Sequence, residues 1–412
     1  MGRIYTRGMI IQGNMPTRFK SSLLLLVLAT CICLLMFQMK GNLGEHLLGQ
    51  FKTKNTQYSN TASRLGPAKP GLGSPGDPES IRARFIQRSY LLTQMCALPR
   101  HQVATRRNSL EPKILKLADG QLNLCPIAKV GTTYTIYDMK PLRFSGQQTE
   151  LKSDTPTSYI LVREPYSRLL SGYIDKIVTT ERWWRKFGRL IISKFRLGAS
   201  ENSTQCGIGV TFPEFVKYVL YSQNAGRDLN PHFQPIHQHC HICRQHFDFI
   251  GHLETFEEDF GFILKSVNIN VEDFNFDHSE SAIRSKCETT VRWRQRIKKC
   301  QAMCTTLRDV WWSFQARGLI SKDIRLPVQG ADCDSISGAE FTELALRAHK
   351  ASLGKMTTRE QKRSFLVQLF TQVPLQDRLL LREVFMADFE LFGYDSMPPD
   401  LFPEIHQQNR NS

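Results

Sequence analysis

Two short segments of the chain carry residue types whose spacing suits the binding of phosphate groups. The first supplies a loop of five residues: Lys129, Val130, Gly131, Thr132 and Thr133. Glycine allows the backbone to approach an anion closely, and threonines can cap a helix whose first N–H groups attract negative charge. Lys129 adds a mobile positive charge. The sequence lacks the Walker spacing G-x-x-x-x-G-K-[ST] at this loop, which argues against an ATP site of that type.

The second segment follows the apolar, β-branched run 158–162, which is typical of a buried strand. Arg163 ends that run, and open α/β sheets bind ligands at the carboxyl ends of their strands. Pro165 suits the start of the next helix, so Ser171 would lie two turns into it and could converge with Arg163 on a phosphate. Arg168 is either a third phosphate ligand or a solvated charge on the helix surface.

Together the segments predict a site for a nucleotide with anionic groups at both ends of its ribose. The sulfate donor 3'-phosphoadenosine 5'-phosphosulfate (PAPS) is such a nucleotide. Lys129 and the loop N–H groups would hold the phosphosulfate, and Arg163, Arg168 and Ser171 the 3'-phosphate. The alternative for the first segment is a strand, turn and helix with a surface lysine and no role in binding a ligand. The strand-like runs before each segment predict an α/β fold, in which a central parallel sheet is flanked by helices.

Four blocks of sequence resemble the Golgi carbohydrate sulfotransferases. The similar branch includes the chondroitin and dermatan 4-O-sulfotransferases, the N-acetylgalactosamine 4-O-sulfotransferases and the HNK-1 sulfotransferase. The blocks are the loop 128–134, the run 163–173 (R-E-P-Y-S-R-L-L-S-G-Y), the region 212–259 and the run 388–394 (D-F-E-L-F-G-Y). The resemblance implies a P-loop-like sulfotransferase fold and transfer of a sulfuryl group from PAPS to a glycan hydroxyl. The closest match implies O4 of N-acetylgalactosamine in chondroitin or dermatan.

The resemblance also indicates which residues carry the reaction. Lys129 would neutralise the charge that develops on the leaving phosphate. His232 lies in an N-P-H-F run where the family has N-x-H-W, and it is the candidate base, with an expected pKa near 6 to 7. The alternative for His232 is a structural or acceptor-orienting role, and Glu254 and Asp175 are lesser candidates for the base. Lysine and arginine can supply the positive charge, so we expect no metal.

The chain also departs from the family pattern. Ala128 replaces the usual proline before the loop lysine, Phe233 replaces a tryptophan, and residues 273–375 match poorly. Two alternatives stay open, and the departure at Ala128 is the basis of the second. One is a metal-dependent lumenal glycosyltransferase that uses Asp332 and Asp334 with manganese. The other is a basic glycan-binding protein without turnover.

The N-terminal region predicts a membrane-anchored protein. Residues 21–39 are uncharged, rich in leucine and about 28 Å long as a helix, which approaches the thickness of a bilayer core. Basic residues precede this stretch, so residues 1–20 should stay cytosolic. We therefore expect a single-pass type II protein of the Golgi membrane, with a stem at 40–80 and a lumenal sulfotransferase domain at 81–412. A cleaved signal peptide is the alternative.

The net charge of +16 predicts an anionic partner. A lumenal domain argues against nucleic acid and favours a glycan acceptor, from a glycosaminoglycan or a glycoprotein. Exposed charges interleaved with tryptophan could bind such a chain at residues 182–196, which include Arg182, Arg185, Trp183 and Trp184. The alternative is an amphipathic helix whose tryptophans belong to the core.

The cysteines indicate an oxidising compartment. The chain has 11 cysteines, of which Cys31 and Cys33 lie in the anchor, so nine remain and at least one is not paired within the chain. The dense run of histidine and cysteine at 237–246 could hold zinc, but Cys240 and Cys243 are expected in disulfides instead. A glycosylation sequon begins at Asn202.

Overall fold

The computed structural model describes residues 77–104, 114–139, 156–225, 229–354 and 358–408, all within the unit formed by residues 73–412. The predicted cytosolic tail, the membrane anchor and nearly all of the stem lie outside the described residues. Within the described part, no helix combines the length and the apolar character needed to cross a membrane. The first described helix begins at Pro78, shortly before the predicted start of the globular part at Ile81.

A four-stranded sheet lies in the order β1 (Leu115–Leu117), β2 (Leu122–Cys125), β3 (Thr157–Val162) and β4 (Phe249–His252). The last three strands are parallel, with Leu124 opposite Tyr159 and Tyr159 opposite Phe249. β1 is antiparallel to β2, because only the short 3-10 turn Ala118–Gly120 joins them. The prediction of an α/β fold with a parallel sheet flanked by helices is therefore confirmed, with an antiparallel edge strand added.

Helices precede, separate and follow these strands. Up to β4 they are α1 (Pro78–Cys96), α2 (Pro99–Ala104), α3 (Thr132–Met139), α4 (Pro165–Gly172), α5 (Glu181–Trp183), α6 (Arg189–Phe195), α7 (Glu201–Cys206) and α8 (Phe212–Asn224). After β4 they are α9 (Phe256–Ser266), α10 (Ser279–Arg292), α11 (Arg294–Ile297), α12 (Met303–Ala316), α13 (Asp332–Ser335), α14 (Gly338–Ser352), α15 (Thr358–Phe370), α16 (Leu375–Phe392) and α17 (Pro403–Gln408). Capping boxes start α8, at Thr211 and Glu214, and α14, at Ser337 and Glu340.

Two π-helical turns interrupt the helical stretch that follows β3. The first, Tyr173–Val178, continues directly from α4, and the second, Trp184–Gly188, joins α5 to α6. Such turns widen the helix by one residue and recur at functional sites. Asp175 and Lys176 lie in the first of them, and both belong to the candidate site described below.

Buried apolar residues form three clusters in the described part. The first surrounds the sheet, where Tyr159 of β3 contacts Phe260 of α9. The second joins α4 and α8 to α15 and α16, and in it the ring of Tyr166 lies 5.1 Å from that of Phe370. The third joins α10, α12 and α14 around residues such as Phe341. The poorly matching segment 273–375 therefore contributes a helical core of its own.

The structure pairs eight of the nine cysteines that follow the predicted anchor. The disulfides of the described residues are Cys96–Cys243, Cys125–Cys240, Cys206–Cys300 and Cys304–Cys333. Cys287 is free and buried. The prediction that Cys240 and Cys243 enter disulfides is confirmed, and those two residues therefore offer no thiolate to a metal. Among the described residues, no group of histidine, cysteine and acidic side chains could hold a metal ion.

Candidate functional site

The loop between β2 and α3 is shaped by two left-handed residues. Lys129 has a φ of 71° and Gly131 a φ of 87°, which glycine adopts freely and lysine does not. The hydroxyl of Thr132 donates to the carbonyl oxygen of Ile127 over 2.6 Å and closes the loop. The side chain of Val130 is fully buried. Of the predicted loop ligands, Val130 and Thr132 therefore face inward, and only their backbone groups remain for an anion.

The start of α3 is suited to an anion. Thr133 is exposed in its first turn, and the first N–H groups of any helix lack partners within the helix. The hydroxyl of Thr135 turns back to the carbonyl of Gly131. The side chains of this loop that reach the surface are thus that of Thr133, which is exposed, and that of Lys129, which is partly buried.

The two predicted segments meet in the structure. A guanidinium N–H of Arg163 donates to the carbonyl oxygen of Lys129 over 3.2 Å. Arg168 donates to the neighbouring carbonyl, that of Ala128, over 3.0 Å. Both arginines therefore hold carbonyl oxygens of the loop and join it to the second segment. Ser171 lies half-buried in the last turn of α4.

Arg168 has neither of the two positions that the sequence predicted. Its side chain is 1% exposed, and it donates to the carbonyls of Gln234 and Pro231 as well as to that of Ala128. Burial lowers its pKa to about 10. A helix charge in solvent would be exposed, and a phosphate ligand would face an opening. Arg168 instead ties the loop to the segment that carries the candidate base, because it bonds carbonyls of both.

Lys129 forms an ion pair with Asp175, with 2.8 Å between Nζ and Oδ2. Lys176 approaches the same carboxylate oxygen at 3.1 Å. Burial lowers the pKa of Lys129 to about 8, although Asp175 opposes that shift. Burial alone would raise the pKa of Asp175, but the charges of Lys129 and Lys176 hold it well below its usual range. Asp175 therefore stays ionised and is a weak proton acceptor, which counts against its candidacy as the base.

His232 lies beside this ion pair in a defined tautomer. The oxygen of the Asn230 amide accepts from the His232 backbone N–H at 3.1 Å and lies 2.7 Å from ring Nδ1. An amide oxygen only accepts, so Nδ1 carries the proton and Nε2 keeps a lone pair. The edge of the Trp183 ring packs against the imidazole at 5.3 Å between centroids. The geometry is that of a neutral histidine with its accepting nitrogen available.

The pKa of His232 is lower than the sequence predicted. Burial, followed by the positive charges of Lys176 and Lys129, lowers it to about 4 instead of the expected 6 to 7. The imidazole is therefore neutral across the physiological range, as a proton acceptor must be. Its lower basicity makes it a weaker acceptor until an anion offsets the neighbouring charges.

Glu254 is held by two hydrogen bonds. One carboxylate oxygen accepts from the backbone N–H of Glu164 and the other from the hydroxyl of Tyr394, both at 2.9 Å. Glu164 in turn caps α4 by accepting from the backbone N–H groups of Tyr166 and Ser167. Glu254 thus joins three of the four sequence blocks, and both of its oxygens are engaged, which counts against it as a base.

Asp388 supports the segment after His232 through hydrogen bonds, a role that the sequence does not reveal. The carboxylate accepts from the backbone N–H groups of Ile236 and His237 and contacts ring Nδ1 of His237 at 2.7 Å. Asp388 is itself buried in α16. The last sequence block therefore positions the segment that follows His232. The pairing of such distant residues leaves no signal in a single sequence.

Four cations near the site were also missed: Lys176, Lys286, Arg317 and Lys362. Lys286 donates to the carbonyl of Thr179, just after the first π turn, over 2.8 Å. All four lie outside the four sequence blocks described above, so no motif points to them.

The basic stretch 182–196 has both a core face and an exposed face. Trp184 and Ile191 are buried, whereas Arg182, Lys186 and Arg189 are exposed. The amphipathic alternative is therefore correct for Trp184. Trp183 is partly buried and contacts His232, so the exposed cations begin next to the candidate base.

The residues proposed for a glycosyltransferase have structural partners. Cys333 forms a disulfide with Cys304, and Asp334 pairs with Lys298 at 2.9 Å. Asp332 begins the short helix α13. The run Asp332-Cys333-Asp334 is thus a helical turn beside a disulfide.

Comparison with known proteins gives partial matches. The family described as Sulfotransferase family matches residues 131–311, starting directly after the part of the loop that holds Lys129. Carbohydrate sulfotransferase 8 of Mus musculus is 33% identical over 168 residues, which is 39% of this chain and 40% of the relative. Carbohydrate sulfotransferase 14 of Danio rerio is 39% identical over 109 residues, 26% of this chain and 29% of the relative.

A further relative, carbohydrate sulfotransferase 11 of Rattus norvegicus, is 30% identical over 142 residues, or 34% of this chain and 40% of the relative. The chain thus spans no more than 40% of the length of these relatives. No solved structure matches it. Residues 131–311 therefore match the sulfotransferase family, and the similar proteins are carbohydrate sulfotransferases of several kinds.

Proposed function

We propose that this protein transfers a sulfuryl group from PAPS to a hydroxyl of a glycan. One observation carries the proposal: the Lys129–Asp175 ion pair and a neutral His232 lie together at a glycine loop that opens a helix. The loop offers N–H groups and one lysine to an anion, and the histidine offers a lone pair to a hydroxyl proton. The partial match to carbohydrate sulfotransferases supports the same activity.

The positive charges of the described residues complement the negative charges of PAPS. Lys129, with the N–H groups at the start of α3, would hold the phosphosulfate, and Arg163 with Ser171 would hold the 3'-phosphate. Nearly all charges around the loop are positive, and the carboxylate of Asp175 is their closest counterion. When bound, the donor supplies the activated sulfuryl group; the protein supplies position, charge and a proton acceptor.

The acceptor hydroxyl would lose its proton to Nε2 of His232 as its oxygen forms a bond to sulfur. The bond from sulfur to the bridging phosphate oxygen breaks at the same time, and Lys129 neutralises the charge left on that oxygen. The proton thus ends on His232 and the negative charge on the released nucleotide. The Nδ1–H bond to Asn230 keeps the imidazole in the tautomer that this step needs.

We propose O4 of N-acetylgalactosamine in chondroitin or dermatan as the acceptor position. The support is the sequence resemblance and the exposed cations that begin beside His232 at Arg182 and continue to Arg189. A polyanionic chain would meet positive charge as it enters the site. Terminal N-acetylgalactosamine and O3 of glucuronic acid are the competing positions, and both belong to less charged or shorter acceptors.

The direct test is incubation of the full-length, detergent-solubilised protein with radiolabelled PAPS and a panel of desulfated glycans. We expect label in desulfated chondroitin and dermatan, at O4 after disaccharide digestion, with activity unchanged by EDTA. Label in a different glycan would change the proposed acceptor. No label in any glycan, with the donor intact, would contradict the proposed activity, and transfer of sugar from a nucleotide sugar that EDTA abolishes would indicate the metal-dependent glycosyltransferase.

We also propose that the protein is a single-pass type II protein of the Golgi membrane, with residues 81–412 in the lumen. The disulfides support an oxidising compartment, and Asn202 is exposed in α7, where a glycan could be attached. Carbonate extraction should leave the full-length chain in the membrane fraction, and glycosidase should shift its mobility by one glycan. Recovery of the untruncated chain from the cytosol would contradict this location.

A further inference from the structure

Three cations outside the four sequence blocks converge on the candidate site from helices of the segment 279–370, of which Lys286 lies within the residues 131–311 that match the sulfotransferase family. Lys286 lies on α10, Arg317 directly follows α12, and Lys362 lies on α15. α12 packs against the first π turn, and α15 packs against α4. Lys286 reaches the carbonyl of Thr179 at the end of that turn. These helices therefore deliver positive charge to the elements that carry Asp175 and Arg163.

A glycine brings Arg317 and Lys362 side by side. Gly318 has a φ of 69°, and a Cβ built there would lie 3.3 Å from Cε of Lys362 and 2.5 Å from Cγ2 of Thr358. The missing side chain thus allows α15 to approach the end of α12. Among the described residues, no carboxylate pairs with the side chain of Arg317 or with that of Lys362.

The electrostatics show that these cations share one region. The pKa of Lys362 is lowered to about 8, first by desolvation and then by the charges of Arg163 and Arg317. The charge of Arg317 also helps to lower the pKa of Lys129 and of Lys286, both to about 8, after the larger effect of burial. Arg317 thus acts most directly on its neighbour Lys362 and only weakly, through its charge, on Lys129 and Lys286. Crowding like charges disfavours their charged forms unless an anion lies among them.

The position of Arg168 explains where that anion is needed. The guanidinium of Arg168 is buried and donates to three carbonyl oxygens, so it faces the loop and the His232 segment instead of a ligand. One arm of Arg163 holds the loop carbonyl of Lys129. A phosphate beside Arg163 therefore requires further positive charge, and Arg317 and Lys362 are the neighbours that can provide it.

We infer that Arg317 and Lys362, together with Arg163, hold the phosphate at the far end of a nucleotide whose other anionic group lies at Lys129. This assignment rests on the proposed function, because it specifies how the same donor is bound. It places part of the nucleotide site in the segment 279–370 and replaces Arg168 as the additional ligand of the 3'-phosphate.

The test compares two nucleotides by calorimetry on the full-length protein in detergent. The probes are 3'-phosphoadenosine 5'-phosphate and adenosine 5'-phosphate, which lacks the 3'-phosphate. Arg317→Gln and Lys362→Gln should each weaken binding of the first nucleotide by about tenfold to a hundredfold, the usual range for a lost bond to a charged group. Binding of the second should change less than about twofold, because the group that these side chains contact is absent.

Control variants separate this result from misfolding and from loss of net charge. Lys265→Gln removes an exposed charge from α9, outside the cluster, and should leave both affinities unchanged. Arg317→Lys and Lys362→Arg should restore most of the lost affinity. Unchanged binding of the bisphosphate in both glutamine variants would overturn the inference, as would an equal loss for both nucleotides. A wild-type protein that binds neither nucleotide would overturn the proposed function itself, a result that no variant is needed to detect.

Discussion

The recognised blocks and the helical segment 279–370 treat their charged residues differently. In the blocks, three buried or half-buried charged residues are tied to the backbone: Arg168 bonds three carbonyls, Glu254 accepts from a backbone N–H, and Asp388 accepts from two. In the helical segment, Arg317 and Lys362 have no carboxylate partner among the described residues. The charged residues of the sequence blocks fix the geometry of the site, and those of the segment 279–370 add positive charge to it.

This difference shows why sequence similarity and ligand binding need not coincide. Residues whose hydrogen bonds fix the backbone of the site must keep their partners, because a buried polar group without a partner lowers stability. Charges that face a ligand depend only on reaching it, so they can come from any helix that packs nearby. A sequence motif can therefore identify the residues that fix the geometry of the site, while some residues that bring positive charge to the site lie outside every motif.

Loss of the candidate base should give the largest effect. His232→Ala should lower turnover by roughly a hundred to ten thousandfold, because the acceptor proton then has no positioned acceptor. Nucleotide binding should change little, since the phosphate contacts come from other residues. Turnover is measured with saturating PAPS, and His246→Ala is the matched control, because that ring is exposed and contacts nearby Asp248, away from the loop.

The pH profile tests the same residue independently. His232 must be neutral to accept a proton, so kcat/KM should fall as pH falls through about 4, the lowered pKa of the free protein. The residual activity of His232→Ala should lack this limb. If the mutant keeps the wild-type profile at a reduced rate, the histidine only positions the acceptor.

Loss of the loop lysine should come next. Lys129→Ala should reduce turnover by about a hundredfold or more, because the leaving phosphate then lacks its counter-charge. Its pKa of about 8 means that the cation is lost as pH rises through that value, so wild-type activity should fall above pH 8. Lys129→Arg should move this limb upward, and Lys217→Ala, on the exposed side of α8, is the control. Near-normal sulfation by Lys129→Ala would remove this lysine from the mechanism.

Local sequence signals explain how much could be predicted. The apolar run 158–162 and the glycine of the loop gave the strand and the turn correctly, because strand burial and left-handed backbone depend on neighbouring residues. The convergence of Arg163 with the loop followed from the parallel sheet. Each of these features is determined by residues that lie close together in the sequence.

Long-range contacts explain the rest. The sequence shows neither that Arg168 turns inward to Gln234 nor that Asp388 supports His237, because each pairing depends on how distant elements pack. The lowered pKa of His232 has the same origin, since it comes from burial and from Lys176 and Lys129. The sequence likewise does not show which way the cations of the segment 279–370 point, because this too depends on how its helices pack.

The role of Arg168 provides the third test of the comparison. Arg168→Met should lower the free energy of unfolding by roughly 2–5 kcal/mol, because it leaves buried carbonyl oxygens without a donor. Arg163→Met should affect stability less, since it loses one bond at 3.2 Å, and should mainly weaken nucleotide binding. Thermal unfolding of the two proteins, each without nucleotide, measures the difference. Equal stability of Arg168→Met and wild type would mean that the hydrogen bonds of Arg168 do not hold the site together.

The smallest effect should come from the exposed cations next to Trp183. Arg182→Gln combined with Arg189→Gln should raise KM for a polyanionic acceptor by about threefold to tenfold at low salt, because surface charges act mainly on capture and are screened. The effect should fade at high ionic strength, where the wild type loses the same advantage. The double variant Lys217→Gln with Lys265→Gln removes an equal charge elsewhere. A short neutral acceptor should show no difference between the variants; a loss with that acceptor would place these arginines in the sugar site itself instead of along the path of the chain.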